Sequence, residues 1–511
     1  MSRALFLSLP LPFLLLLWGA FVPGSVALAE GGDTHESGAD STDGVWTVEA
    51  WTVEEKATFY ALSERPSQQP ERLEEPLPRG PAGDFRHRGF QSVQVNVDAL
   101  GLNIVGDAAN EPSIAVDSGD ANRIAIGWRQ FDSIASSFRE AGWGYSDDGG
   151  VSWTADEIDS GVFRSDPVLD SDRTGGFYYN SLTVDGSFLR CDVYRSSDGG
   201  VSWGGAIDAA GGDKQWMVVD RTQGPGSGHI YTNWNRNFSC CGATDFTRSI
   251  DGGASYETPI AMPASLSFAT VAVGTDGDVY LAGETFNGIE VVRSTTLNDA
   301  GQTMAFDGVS TVDLGGPVGA FGGSSPNPGG LLGQVWVATD PSRPDHVYVL
   351  ASVVPAGGDP LDVRFSRSID GGQTWSPSIR VNQDTGNHWN WFGTLSVAPN
   401  GRLDVIWNDN RDDPTGFDSK LYYASSVDAG VTWTAGQEMT PAFDPHLGWP
   451  QQNKIGDYYD MVSENDQVHI AYSATFNGEQ DVYYLKIELN SPIFGDGFEA
   501  GDTSAWSASE P

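Results

Sequence analysis

The side chains able to do chemistry in this sequence recur at the ends of short alternating segments. Arg129, Arg236 and Arg411 each close one such segment, in three separate stretches of the chain. Their matched positions let them converge on one carboxylate, for which a planar guanidinium is suited. Neighbouring segment ends carry Glu111, Arg164, Asp166, Lys214, Trp216, Trp234, Glu284, Trp391, Asp409 and Tyr458, with Trp389, Lys454 and Asp457 beside them. Arg164 and Lys214 add positive charge for a substrate or ligand. Trp216, Trp234 and Trp391 have two readings, as platforms for sugar rings or as packing between repeats. The Arg and Asp residues likewise read either as a binding set or as ion pairs between repeats.

Other chemistries are excluded or left open. The seven histidines show no metal-ligand spacing, and His388 and His446 read as loop residues. No Gly-x-Ser-x-Gly elbow occurs. The Gly-rich stretch from Gly315 to Gly333 lacks the Lys and the strand context of a phosphate loop, so it reads as an excursion between repeats. Of the three cysteines, Cys191 is expected to bridge to Cys240 or Cys241, the alternative being three free thiols.

The elements that must position these residues are announced by a repeated turn. Five segments match Ser-x-Asp-x-Gly-x-Ser/Thr-aromatic: Ser146 to Trp153, Ser196 to Trp203, Ser249 to Tyr256, Ser368 to Trp375 and Ser426 to Trp433. A degenerate sixth surrounds Asp299. The Asp accepts backbone N–H groups, the Gly supplies a positive φ, and the aromatic folds back as an apolar plug. These aspartates are therefore read as structural. A short strand leads into each turn and two more lie upstream of it, and a seventh unit from about Asp457 to Ile487 has three strands and no turn. Gln91 to Val97 stands unpaired at the other end. The expectation is an all-β propeller of seven four-stranded antiparallel blades, the last completed by that N-terminal strand, with six blades as the alternative. In this geometry the repeated turns mark the bottom face, and the strand ends listing Arg129 and its counterparts mark the top.

The five turns resemble the Asp-box, or bacterial neuraminidase, repeats of the sialidase superfamily, over roughly residues 105 to 489. The resemblance implies a top-face site in which three arginines hold a substrate carboxylate. It assigns Arg129, Arg236 and Arg411 to that role, Tyr458 as nucleophile with Glu284 or Glu111, and Asp166 or Asp409 as acid/base. The family's Phe/Tyr-Arg-Ile-Pro motif is missing; Phe163-Arg164-Ser165-Asp166-Pro167 is a loose echo in the second blade. Two functions follow: a secreted, sialidase-like glycosidase, or a non-catalytic propeller that binds glycan or protein.

Composition narrows the partners. A formal charge of −41, from 69 acidic and 28 basic residues, argues against nucleic acid or anionic membrane. Residues 1–29 read as a signal peptide, with an apolar run from Leu5 to Val22 and cleavage after Ala29; no second run is long enough to span a bilayer. Residues 30–89 read as an acidic, Pro/Gly-rich leader, 90–490 as the propeller, and 491–511 as a tail. The tail, Phe494 to Asp502 through Trp506, is similar to a short terminal motif of exported bacterial proteins. A secreted monomer with a glycan ligand is expected; no cofactor is implied, and structural calcium among the aspartates stays open.

Overall fold

A computed structural model describes residues 77–319 and 323–489. The expected signal peptide, most of the leader and the C-terminal tail lie outside the described residues. Among those described, every regular element is a strand, and seven antiparallel sheets follow one another along the chain as the blades of a propeller. Blade 1 runs through Ala108–Asp117, Asp120–Phe131, Glu140–Ser146 and Thr154–Ile158. Blades 2, 4, 5 and 6 repeat this four-stranded meander, starting at Ser165, Ser267, Trp336 and Asn390. Blade 3 has three strands from Trp216, with an isolated bridge from Phe246 to Ile260 in the fourth position.

Blade 7 joins the two ends of the chain. Its strands Asp460–Ser463, Gln467–Ala474 and Asp481–Glu488 are completed by Phe90–Gln94, which pairs antiparallel in the register Ser92↔Leu485. The fifth strand of that sheet, Asp84–His87, lies in the stretch read as leader. The seven-bladed expectation therefore holds. The degenerate fourth unit is a full blade rather than an insertion in a six-bladed ring.

Each repeated turn forms as its residues dictate. In the first, Ser146 Oγ accepts the Gly150 N–H at 2.9 Å, and Asp148 Oδ1 accepts the N–H of Ser152 at 2.9 Å. The turn also wedges against the preceding blade: Trp153 lies 5.3 Å from Tyr484, and Trp433 lies 5.2 Å from Phe365, ring centre to ring centre.

The innermost strands are stitched together by side chains that accept a neighbour's backbone N–H. Asp460 serves Ile114 at 3.1 Å, Ser113 serves Leu169 at 2.8 Å, and Asp170 serves Val219 at 2.7 Å. Thr270 and Ser396 do the same for Val337 and Ser463, at 2.9 and 3.0 Å. Each bond satisfies a backbone donor that would otherwise be orphaned on a strand with a sheet partner on one side only.

Candidate functional site

Near the start of the innermost strand of every blade, within it or a few residues before it, one residue takes the left-handed region. In order these are Glu111, Asp166, Lys214, Phe268, Gly333, Phe392 and Gly456, with φ of 53°, 47°, 54°, 56°, 141°, 57° and 100°. Four of them coincide with a register shift between the first two strands. Such a bulge re-aims a side chain at a strand end, at a cost of about 1–3 kcal/mol for a residue with a Cβ.

Blades 1, 2 and 3 place a charged residue at this position, and blade 7 adds Lys454 and Asp457 beside Gly456. Lys214 Nζ lies 2.9 Å from Asp166 and 2.6 Å from Asp457. Lys454 Nζ is 2.7 Å from Asp457 and 3.3 Å from Glu111, whose other cation, Arg129, stands at 3.2 Å. Asp213 approaches Lys214 at 3.8 Å. Four carboxylates thus meet three cations, all of them fully buried. Burial pushes the Glu111 carboxyl up to about 8, against the pull of Arg129, Lys454 and Lys214. Tyr458 sits beneath, its hydroxyl donating to the Pro167 carbonyl at 2.8 Å. Its ring meets Trp216 edge-on at 5.3 Å, and Trp216 meets Trp336 at 5.1 Å. Desolvation, reinforced by Glu111 and Asp166, drives the Tyr458 phenol well above its ordinary range.

Of the residues singled out from sequence, Glu111, Arg129, Asp166, Lys214, Trp216, Lys454, Asp457 and Tyr458 therefore stand in or against this cluster. The others are held elsewhere. Arg236 pairs with Asp245 at 2.7 Å, and Arg164 pairs with Asp192 at 2.7 Å and Asp159 at 2.9 Å. Arg411 pairs with Asp409 of its own blade and lies 4.3 Å over the Tyr422 ring. Glu284 accepts the Val318 N–H at 3.2 Å. Trp234 and Trp391 are buried, with indole N–H bonds to the Thr244 carbonyl and Ser419 Oγ, both at 3.1 Å; packing describes both better than a sugar platform does. The three arginines thus end on three different carboxylates. The expected bridge from Cys191 is replaced by a disulfide between the adjacent Cys240 and Cys241, while Cys191 is a buried thiol directed at the Gly212 carbonyl.

Two groupings escaped the sequence reading. Asp132, Glu140 and Glu157 bring oxygens within 4.8 Å of one another at the top of blade 1. That donor set is the kind a hard divalent cation takes. Burial and the repulsion of Glu140 and Asp132 push Glu157 up to about 8. The second grouping is aromatic. Trp389, Phe417, His446 and Trp449 form a half-buried row, with successive ring centres 6.5, 4.8 and 4.8 Å apart. They come from the start of blade 6, its loop between strands two and three, and the link to blade 7, which all lie on the top face. Asp413, Asp418 and Asp444 border the row, and burial with the charges of the other two raises Asp418. Trp389 at a strand end and His446 in a loop were visible in the sequence, but nothing there joined them to Phe417 and Trp449.

No family model matches this chain, and no curated protein matches it. Among solved structures, it is similar to the Hadza microbial sialidase Hz136, at 13% identity and a TM-score of 0.39, covering 83% of this chain and 98% of that one. It is similar to the endosialidase of phage phi92, at 8% identity and a TM-score of 0.44, covering 79% and 70%. It is also similar to the GH74 xyloglucanase of Xanthomonas campestris, at 16% identity and a TM-score of 0.39, covering 80% and 67%.

Proposed function

We propose that this protein is an exported, non-hydrolytic propeller that binds neutral glycans on its top face. The observation that carries the reading is the row Trp389–Phe417–His446–Trp449 with carboxylates along its border. Aromatic faces stack on the apolar side of a pyranose ring, and carboxylates accept its hydroxyl protons. The charge of −41 disfavours sialylated or other anionic sugars. The geometry disfavours hydrolysis, because Tyr458 is bound to a carbonyl under a buried cluster and Arg129 is already matched by Glu111. A nucleophile so placed cannot meet a substrate without the cluster opening.

The test is a titration of the full chain with neutral and sialylated oligosaccharides, alongside a fluorogenic sialoside assay. Neutral glycans should bind, and Trp449→Ala should weaken them about 10-fold or more without changing the melting temperature. Turnover of the sialoside would restore the sialidase-like reading. Silence across the neutral panel would remove the glycan.

A further inference from the structure

The axis of the propeller is hollow on the side away from that row. A cavity of about 700 Å³ runs between the innermost strands, within the size range of small-molecule sites. Its lining includes Asp170, Val219, Thr275, Thr339, Val397 and Ser463, which end those strands or follow them, so it opens on the face of the repeated turns. The inner end is closed by Trp216 and Trp336, packed edge to face at 5.1 Å, with Tyr458 and the buried ions behind them.

The wall is graded. Val218, Val273, Ala338, Val397 and Val462 lie on innermost strands yet are only half-buried, because their free surface faces the hollow. The mouth is hydroxylic and amidic instead, with Thr275 and Gln223 exposed. Arg221 at the mouth is already paired with Asp170, its Nε held by the Ser171 carbonyl at 2.7 Å. An ionic headgroup arriving there must compete with an existing pair, whereas a hydroxylated neutral one meets side chains that donate and accept.

From this gradient we infer that the channel is a second binding site, which takes a neutral single-chain amphiphile, apolar chain inward and hydroxylated head at the turn-bearing face. Each methylene that passes the valines leaves water, which tightens binding about fourfold per carbon until the chain meets the Trp216–Trp336 floor. Nothing in this site overlaps the aromatic row, so its failure leaves the glycan reading standing, and the converse holds too.

The experiment titrates the full chain with alkane-1,2-diols of six to twelve carbons below their aggregation limits, by calorimetry and by tryptophan emission. A sodium alkyl sulfate and an alkyltrimethylammonium of matching length are run beside them. The expected result is one saturable site, about a fourfold gain per added carbon followed by a plateau, and weaker binding of both ionic heads. Ala338→Trp fills the shaft and should cut diol affinity at least 10-fold while melting temperature and neutral-glycan binding stay unchanged. Val273→Trp is the second filler, to be used if Ala338→Trp does not fold. Absence of saturable binding or of chain-length dependence in the unmodified chain would leave a channel of water and overturn the inference. So would a folded filler variant that binds the diols as tightly as the unmodified chain.

Discussion

Glu111 concentrates the energetics of the buried cluster. It takes a left-handed backbone, loses all contact with water and sits between Arg129 at 3.2 Å and Lys454 at 3.3 Å. Its carboxyl is raised from 4.5 to about 8, desolvation outweighing Arg129, Lys454 and Lys214. A carboxyl with a raised folded value binds a proton that the unfolded chain releases, so stability is fully kept below pH 4.5 and declines as pH rises through 8. The decline contributes up to about 1.4 kcal/mol per pH unit inside that window. Glu111→Gln copies the protonated shape, so the variant should lose this part of the slope; urea melts at pH 5, 7 and 9 measure it. An unchanged slope would mean that Glu111 stays ionised. Lys454→Met, by contrast, takes a cation from the buried Asp457 and should cost about 3–5 kcal/mol at neutral pH.

The repeated turn does more as an element than its residues announce. The hairpin was legible, because Asp, Gly and Ser/Thr at fixed offsets have one local solution. Its grip on the preceding blade was not, since that depends on a residue some sixty positions away in another sheet. Gly430 makes the point: φ is +76°, and a Cβ there would stand 2.2 Å from the Phe365 ring of blade 5. Gly430→Ala must therefore strain the backbone and displace a core aromatic. We expect it to cost more than Asp428→Ala, which removes the hydrogen bonds from Thr432 and costs about 1–3 kcal/mol. Thermal melts of the two variants rank them, and the reverse order would show the turn to be a local lock alone.

At the scale of the whole molecule, blade count and closure followed from counting turns and finding one strand left over. The site did not follow, for a physical reason. A left-handed Glu111, Asp166 or Lys214 carries no mark in the sequence, and their meeting depends on strand ends from blades 1, 2, 3 and 7 being brought together around one axis. The aromatic row is likewise assembled from three loops, with Trp389 and Trp449 separated by a whole blade. Global electrostatics are easier to foresee. Asp370 and Asp428 are lowered to about 2, so their contribution is lost only as pH falls from 3.8 through 2. Asp460 is raised to about 7, and Asp245 and Asp481 to about 6, mainly by burial, so each weakens the fold as pH rises above 3.8. Together with a charge of −41 these place the stability maximum at about pH 4. Calorimetric scans from pH 3 to 9 test this, and added salt should raise the melting temperature at pH 8.

The seam of blade 7 also sets an order of events in time. Tyr472 bonds Ser92 across 380 residues of chain, and Asn96 bonds Asp481 across 385. A ribosome or translocon delivers Phe90–Gln94 early and its partner Asp481–Glu488 last. Until then the early strand has no native neighbour, and each finished blade presents an open edge to every other chain nearby. Contacts this distant make closure slow, so maturation is governed by waiting rather than by stability. Deleting residues 77–97 makes that wait permanent: the chain should assemble into oligomers by size exclusion with light scattering, and a peptide of residues 84–97 added in trans should return it to a monomer.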